Sequence, residues 1–387
     1  MKEDILNTYH EEIVSSNPEK TTQKNNLKKI FISATSIILV VLLVICSFTL
    51  SSKNYNEEKK IRKLAETAES LVPEGYASLN GGTTGGKGGK TITVSNYNDL
   101  KNAVLSTDPM IIIVDGTIKT TDGGNRALSI RSNKTLMGKD KNAKIYGGIS
   151  ISKEKNVIVY NLNIEGVYPN EGPVDGIDIS NGSTNIWIHH CNIWNAPDGN
   201  LDIKKQANYI TVSYCKFWYT DANHPHRLNA LISSGGGTQP NDFGYLKVTY
   251  HHCWFENNIQ ERMPRIMYGE VHVYNNYYTS KGNNYCVGVG SYASALIESN
   301  YFKKVKDPIK FLYDVYAYIL QKNNVFDGTS GKQDGTNTGV ILGDKYVTDE
   351  PYKLLKDPVK ITSVPYKYSL DKAKQVPSIV EQQAGPQ

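Results

Sequence analysis

Residues 247–255 read KVTYHHCWF, and six other stretches lay over them: NVIVYNLNI (156–164), NIWIHHCNI (185–193), YITVSYCKF (209–217), EVHVYNNYY (270–278), SALIESNYF (294–302) and YILQKNNVF (318–326). Each alternates apolar and polar residues at its start and closes on an apolar or aromatic one. Alternation at period two marks a strand with one buried face. The seven ends lie 29, 24, 38, 23, 24 and 24 residues apart, so a base period near 24 is interrupted twice by insertions. A repeat of that length with no helix inside it means stacked coils, whereas a sandwich would show tight-turn signals every 8–12 residues or so. The expectation is an all-β fold, a right-handed parallel β-helix, with the hand taken from the general rule for parallel crossovers.

The third residue from the end of each segment is Leu162, Cys191, Cys215, Cys253, Asn276, Asn300 and Asn324. Equivalent positions in neighbouring coils stack about 4.8 Å apart. The sequence therefore predicts an internal column of three cysteines continued by a ladder of asparagine amides. Buried free thiols are expected there, although stacked cysteines are close enough for one disulfide. The segment NYNDLKNAVLS (96–106), apolar at helical spacing, is expected to cap the column at its N-terminal end.

Ahead of the repeats, residues 30–50 (IFISATSIILVVLLVICSFTL) hold no charge, enough for one transmembrane helix at 1.5 Å per residue. The sequence divides into a cytoplasmic tail (1–29), an anchor (30–50), a stalk (51–75), a β-helix (76–370) and a tail packing on it (371–387). The large domain is expected outside the cell, held to the membrane, with secretion after signal cleavage as the competing outcome. The run GGKGGKT (85–91) is only superficially a phosphate loop, since Thr84 stands where the first glycine belongs. Lysines and arginines number 43 against 38 acids, and the first 75 residues are balanced at ten of each. The net +5 carried by the remainder is too small for a dedicated nucleic-acid binder but suits a polyanionic substrate. A monomer is expected.

The two insertions precede the second and fourth segments, and a solenoid binds through the loops that depart from its repeat. Asp175, Asp198 and Asp202 would project near one another from consecutive coils. Converging carboxylates need a cation, and oxygen ligands select a hard one such as Ca²⁺; solvated surface acids are the alternative. Arg227, Arg262 and Arg265 follow on later turns, able to hold a carboxylate-bearing ligand directly. The pairs His189–His190 and His251–His252 do not suggest zinc, because neighbours on a strand face opposite ways.

The stretches VDGIDIS, NIWIHHC, DGNLDIKKQANYITVSYCKF, HRLNALISS and VTYHHCWFENNIQERMPRIMYGEVHVYNNYY together resemble the pectate lyase family of parallel β-helix polysaccharide lyases, over about residues 76–370. The resemblance implies calcium-assisted β-elimination of α-1,4-polygalacturonate, leaving a 4,5-unsaturated end. It implies calcium ligation by Asp175, Asp198 and Asp202, proton abstraction at C5 by Arg262, substrate binding by Arg227 and support from Arg265. Three positions depart from the family pattern. Pro173 replaces a frequent acid, Met267 a second substrate-binding arginine, and His189 the aspartate of WIDH. Met267 readmits a pectin lyase acting on methyl-esterified pectin. Two further readings stay open: a glycoside hydrolase using Asp175 with Asp178, and a non-catalytic β-helix that binds acidic glycans.

Overall fold

The computed structural model describes residues 18–124, 127–167, 174–234, 239–313, 316–342 and 359–387. Two compact units divide between Arg62 and Lys63. Pro173 lies outside the described residues.

In the first unit, one helix runs from Pro18 to Ser70 and ends eight residues into the second. An anchor and a separate stalk are therefore not distinguished. The reason is plain in the sequence, which has no proline or glycine between Pro18 and Pro73 to break the helix. Among the described residues no helix is long and apolar enough to cross a membrane. The expected span at 30–50 is thus unsupported, and several of its side chains fall outside the described set.

The second unit is a solenoid of three sheets, with eleven, eight and nine strands among the described residues, all paired in parallel except Val340–Leu342, which runs antiparallel to Ala317–Lys322. One coil shows the plan. Thr184–His189 lies in the eleven-stranded sheet, Asn192–Trp194 in the nine-stranded sheet and Leu201–Ile203 in the eight-stranded sheet, before Asn208–Ser213 starts the next coil. The sharp corner after seven of the eleven strands of the first sheet rests on one left-handed residue: Asn161, His190, Tyr214, His252, Asn275, Ser299 and Asn323, all with φ between 50° and 54°. Asparagine tolerates that region best; histidine, tyrosine and serine are held in it here by the stacked corners.

Behind each corner lies the internal column. Asn276 donates from Nδ2 to Asn300 Oδ1 and Asn300 to Asn324 Oδ1, each at 3.0 Å. The amide N–H of Cys253 donates to Asn276 Oδ1 at 2.9 Å, joining ladder to cysteines. Cys191, Cys215 and Cys253 are free and buried. Inside the eight-stranded sheet, Ile151, Ile179, Ile203, Ile232, Ile266 and Val289 pair in register with no exposure. Each such side chain contributes about 1.5–3 kcal/mol of burial.

The cap helix spans Tyr97–Leu105, with the Asn96 side chain accepting from the Asp99 N–H and Leu100 and Val104 turned into the core. Segments from both sides of the repeats cover the outside of the solenoid. Tyr76 and Ala77 donate backbone N–H groups to Thr249 and Thr211. Gly86 and Gly89 of GGKGGKT lie flat on the neighbouring chain, where a Cβ would stand 1.9 Å from Met110 O and 2.0 Å from Pro109 O. That run is a packing surface. At the other end, Val376 and Val380 of the helix Val376–Gln383 pack on Tyr277, with Trp254 and Tyr301 beside them.

Candidate functional site

Strand alternation in the eight-stranded sheet turns isoleucines inward and the residues between them outward. The outward row, read by register across coils, is Ser150, Asp178, Asp202, Leu231, Arg265, Gly288 and Lys310. Acids thus occupy one end of a single face and cations the other. Asp175 enters from the loop before Ile177–Ser180, and Asp198 from the loop before Leu201–Ile203. Arg227 and Arg262 stand in the loops leading to the next two strands, Ala230–Ile232 and Arg265–Met267.

Sequence reasoning missed the residue at the centre of the acids. Lys204 Nζ lies 2.9 Å from Asp175 Oδ2, 2.9 Å from Asp178 Oδ1 and 3.1 Å from Asp202 Oδ2. The signal was present, since Lys204 follows Asp202 by two residues and so shares its face. Burial works against the Lys204 charge, yet Asp202, Asp175 and Asp178 hold it above the ordinary lysine range. Burial, then the Asp202 charge, pushes Asp175 up to about 8 although Lys204 pulls the other way. Asp202 is raised too, by burial first.

Asp198 is not drawn into this cluster. Its carboxylate meets His226 Nδ1 at 3.2 Å, and both side chains are well exposed. Among the described residues no three His, Cys, Asp or Glu side chains are arranged to hold a metal ion as they stand. Two features nevertheless fit a hard cation. Asp175 Oδ1 is buried without a hydrogen-bond partner. A Cβ on Gly199 would lie 3.4 Å from that atom and 3.2 Å from Asp202 Oδ1, so Gly199 leaves open a cradle that both oxygens face.

The arginines are held by their surroundings and left with free donors. Arg227 gives Nη1 to Asn258 O at 3.1 Å, and its Nε is buried and unpartnered. Arg262 has φ 69°, an uncommon conformation for a side chain of its size. The Arg262 carbonyl accepts from Ala230 N at 2.7 Å, which ties it to the coil carrying Arg227. Its Nε lies 3.8 Å from Glu261 Oε1, outside hydrogen-bond reach. Arg265 donates to the Tyr313 hydroxyl, and its guanidinium sits over that ring, 5.5 Å from the centroid. Met267 is fully buried, with its sulfur 3.7 Å from Arg265 Nη2.

Below these groups the loops are tied together. Tyr219, fully buried, donates to Leu228 O at 2.7 Å, and Asn200 Nδ2 donates to Asn229 Oδ1 at 3.0 Å. The acid-bearing and arginine-bearing coils are thereby fixed relative to one another. The histidine pairs lie elsewhere, at the corner of the first sheet. The left-handed turn brings both members to one side there, so strand alternation was the wrong reason to set them aside.

A family model described as pectate lyase matches residues 60–387. A pectate trisaccharide-lyase of Bacillus licheniformis is 34% identical over 330 residues, covering 81% of this chain and 85% of its own. Pectate lyase A of Aspergillus niger is 34% identical over 275 residues, covering 69% and 80%. Among solved structures, the pectate lyase of Bacillus sp. N165 in complex with trigalacturonate superposes with a TM-score of 0.64 at 28% identity. It covers 81% of this chain and 98% of its own.

Proposed function

The chain belongs to the pectate lyase family, and from that premise we propose that its acid-to-arginine face performs calcium-assisted β-elimination on α-1,4-polygalacturonate. It is a polysaccharide lyase. The observation that carries the assignment of residues is the single outward row running from Asp178 and Asp202 to Arg265, flanked by Arg227 and Arg262.

Asp175 and Asp202 would hold the calcium through the oxygens facing Gly199, and Asp198, now on His226, would turn in as a third ligand. When bound, the ion supplies positive charge to a uronate carboxylate, making the adjacent C5 hydrogen more acidic. Arg227 and Arg265 bind and orient substrate carboxylates through guanidinium forks. Arg262 takes the C5 proton; the freed electron pair becomes the C4=C5 double bond as the C4–O4 bond breaks, and O4 leaves with a proton from solvent. The hydrolase reading of Asp175 with Asp178 is disfavoured, because both carboxylates are bound by the same ammonium. Met267 offers no charge to a second uronate, which favours some tolerance of methyl esters.

The described apolar side chains from Ile37 to Leu43 are about half to two-thirds exposed on their helix, an apolar surface that would need a lipid or protein partner. Absorbance of the unsaturated uronide tests the enzyme reading, with the purified protein on polygalacturonate and on methylated pectin, each with calcium and with chelator. Product from polygalacturonate that chelator abolishes is expected. Product from methylated pectin alone, indifferent to chelator, would move the chain to pectin lyase chemistry; no product from either would leave a glycan-binding scaffold.

A further inference from the structure

Lys204 has no part in the chemistry above, yet it makes more ion pairs than any other described residue of the site. We propose that it is a built-in counter-ion that holds the carboxylate site together without calcium and limits how tightly calcium binds. The inference rests on the reading of Asp175 and Asp202 as calcium ligands.

An ammonium has three protons to donate; here Lys204 donates to Asp175 Oδ2 and Asp202 Oδ2, and Asp178 Oδ1 at 2.9 Å adds a third ion pair without a hydrogen bond. Asp175 and Asp178 come from one coil, Asp202 and Lys204 from the next. The Lys204 side chain is 18% exposed, so water screens these contacts poorly. Without the ammonium, the two coils would press buried like charges together across a strand pair in which Asp178 and Asp202 are direct neighbours.

The division of oxygens matters as much as the charge. Lys204 takes Oδ2 of both Asp175 and Asp202. The Oδ1 atoms of the same residues face the cradle at Gly199. A cation entering there meets two oriented oxygens, with a fixed positive charge on the far side of the same carboxylates. Lys204 therefore acts in two opposed directions, stabilising the metal-free coils and opposing the incoming ion.

The test uses the full chain and the variants Lys204→Gln, Lys204→Arg and Asp202→Asn. Calcium binding is followed by calorimetry and thermal unfolding is recorded in chelator and in saturating calcium. For Lys204→Gln the expected result is calcium binding about three- to thirtyfold tighter, and a midpoint lowered by about 4–8 °C in chelator but by under about 2 °C in calcium. Lys204→Arg keeps the charge and should stay near wild type in chelator. Folding of Lys204→Gln only in calcium also supports the proposal. An equal deficit with and without calcium, unchanged or weaker calcium binding, or an arginine variant as impaired as the glutamine one would overturn it. The calcium reading fails separately, if wild type and Asp202→Asn give the same binding heat.

Discussion

His251 and His252, consecutive in the chain, hydrogen-bond to each other through their Nδ1 atoms at 2.9 Å. His252 Nε2 donates to Asp371 Oδ2 at 2.9 Å, so the neutral His252 ring must accept at Nδ1. His251 therefore carries its proton on Nδ1. Its bare Nε2 lies 3.1 Å from Glu74 Oε2, whose carboxyl burial pushes up. The pair joins the N-terminal segment, the solenoid corner and the C-terminal segment.

Burial lowers His189, His251, His252 and His272, with like-charged histidine neighbours adding to it at His189 and His251 and with Asp371 and Glu298 opposing it at His252 and His272. The folded state thus disfavours the cation, while the unfolded chain takes up protons near pH 6.5. Stability from these rings is complete above about pH 6.5 and is lost as pH falls through their lowered values. Each ring kept neutral should cost about 1.4 kcal/mol at one pH unit below 6.5. Glu298, held low by His272 and Tyr368 against its own burial, loses its contribution at more acid pH. Urea unfolding at pH 7.5 and 5.5 checks this, and equal stability at the two values would refute it.

Asn300 carries two rungs of the internal ladder. It donates to Asn324 Oδ1, Val273 O and Glu298 O, and accepts from the Asn276 N–H and side chain. Asn300→Ala leaves several of these buried groups without partners, so a loss of about 2–5 kcal/mol is expected. Asn300→Asp should also fail to restore stability, because a carboxylate cannot donate to the two carbonyls. Denaturant midpoints for the two variants measure this.

The coil plan was legible because one buried column punctuates every repeat, and column and strand period agree at Cys253 and Asn276. The site was legible only in part. Asp202 and Arg265 could be placed on one face because strand alternation carries outward positions from coil to coil. The contact of Asp198 with His226 was not legible, since a loop residue obeys no such period and its partner comes from the next long loop. Lys204 was overlooked because a lysine beside aspartates reads as an ordinary surface charge until burial is known. The histidine corner escaped strand logic through a left-handed residue that nothing in the HH dipeptide signals.

Tyr313 is 44% exposed and lies under the Arg265 guanidinium while accepting its hydrogen bond. It is thus placed to orient Arg265 in the substrate-binding role proposed for it. Tyr313→Ala should raise KM on polygalacturonate about three- to tenfold with kcat changed less than about twofold. Tyr313→Phe keeps the ring and should fall between that variant and wild type. A fall in kcat at unchanged KM would show that Tyr313 acts on the chemistry instead.

Arg262 combines a strained backbone with a guanidinium that the surrounding residues do not saturate. A residue held at positive φ costs about 1–3 kcal/mol, which its bond to Ala230 must offset. An arginine base works only where its proton can be given up, and an unperturbed guanidinium keeps it above pH 12 or so. Proton abstraction by such a base should therefore gain with pH through the alkaline range. The expected kcat/KM rises above neutrality toward an alkaline optimum. Arg262→Ala should lose about 10²–10⁴-fold in kcat while retaining oligogalacturonate binding. Arg262→Lys, with a lower intrinsic pKa, should recover part of the rate and move the rising limb to lower pH. Steady-state rates from pH 7 to 11 for the three proteins decide it, and a profile falling above neutrality would remove Arg262 from the base role.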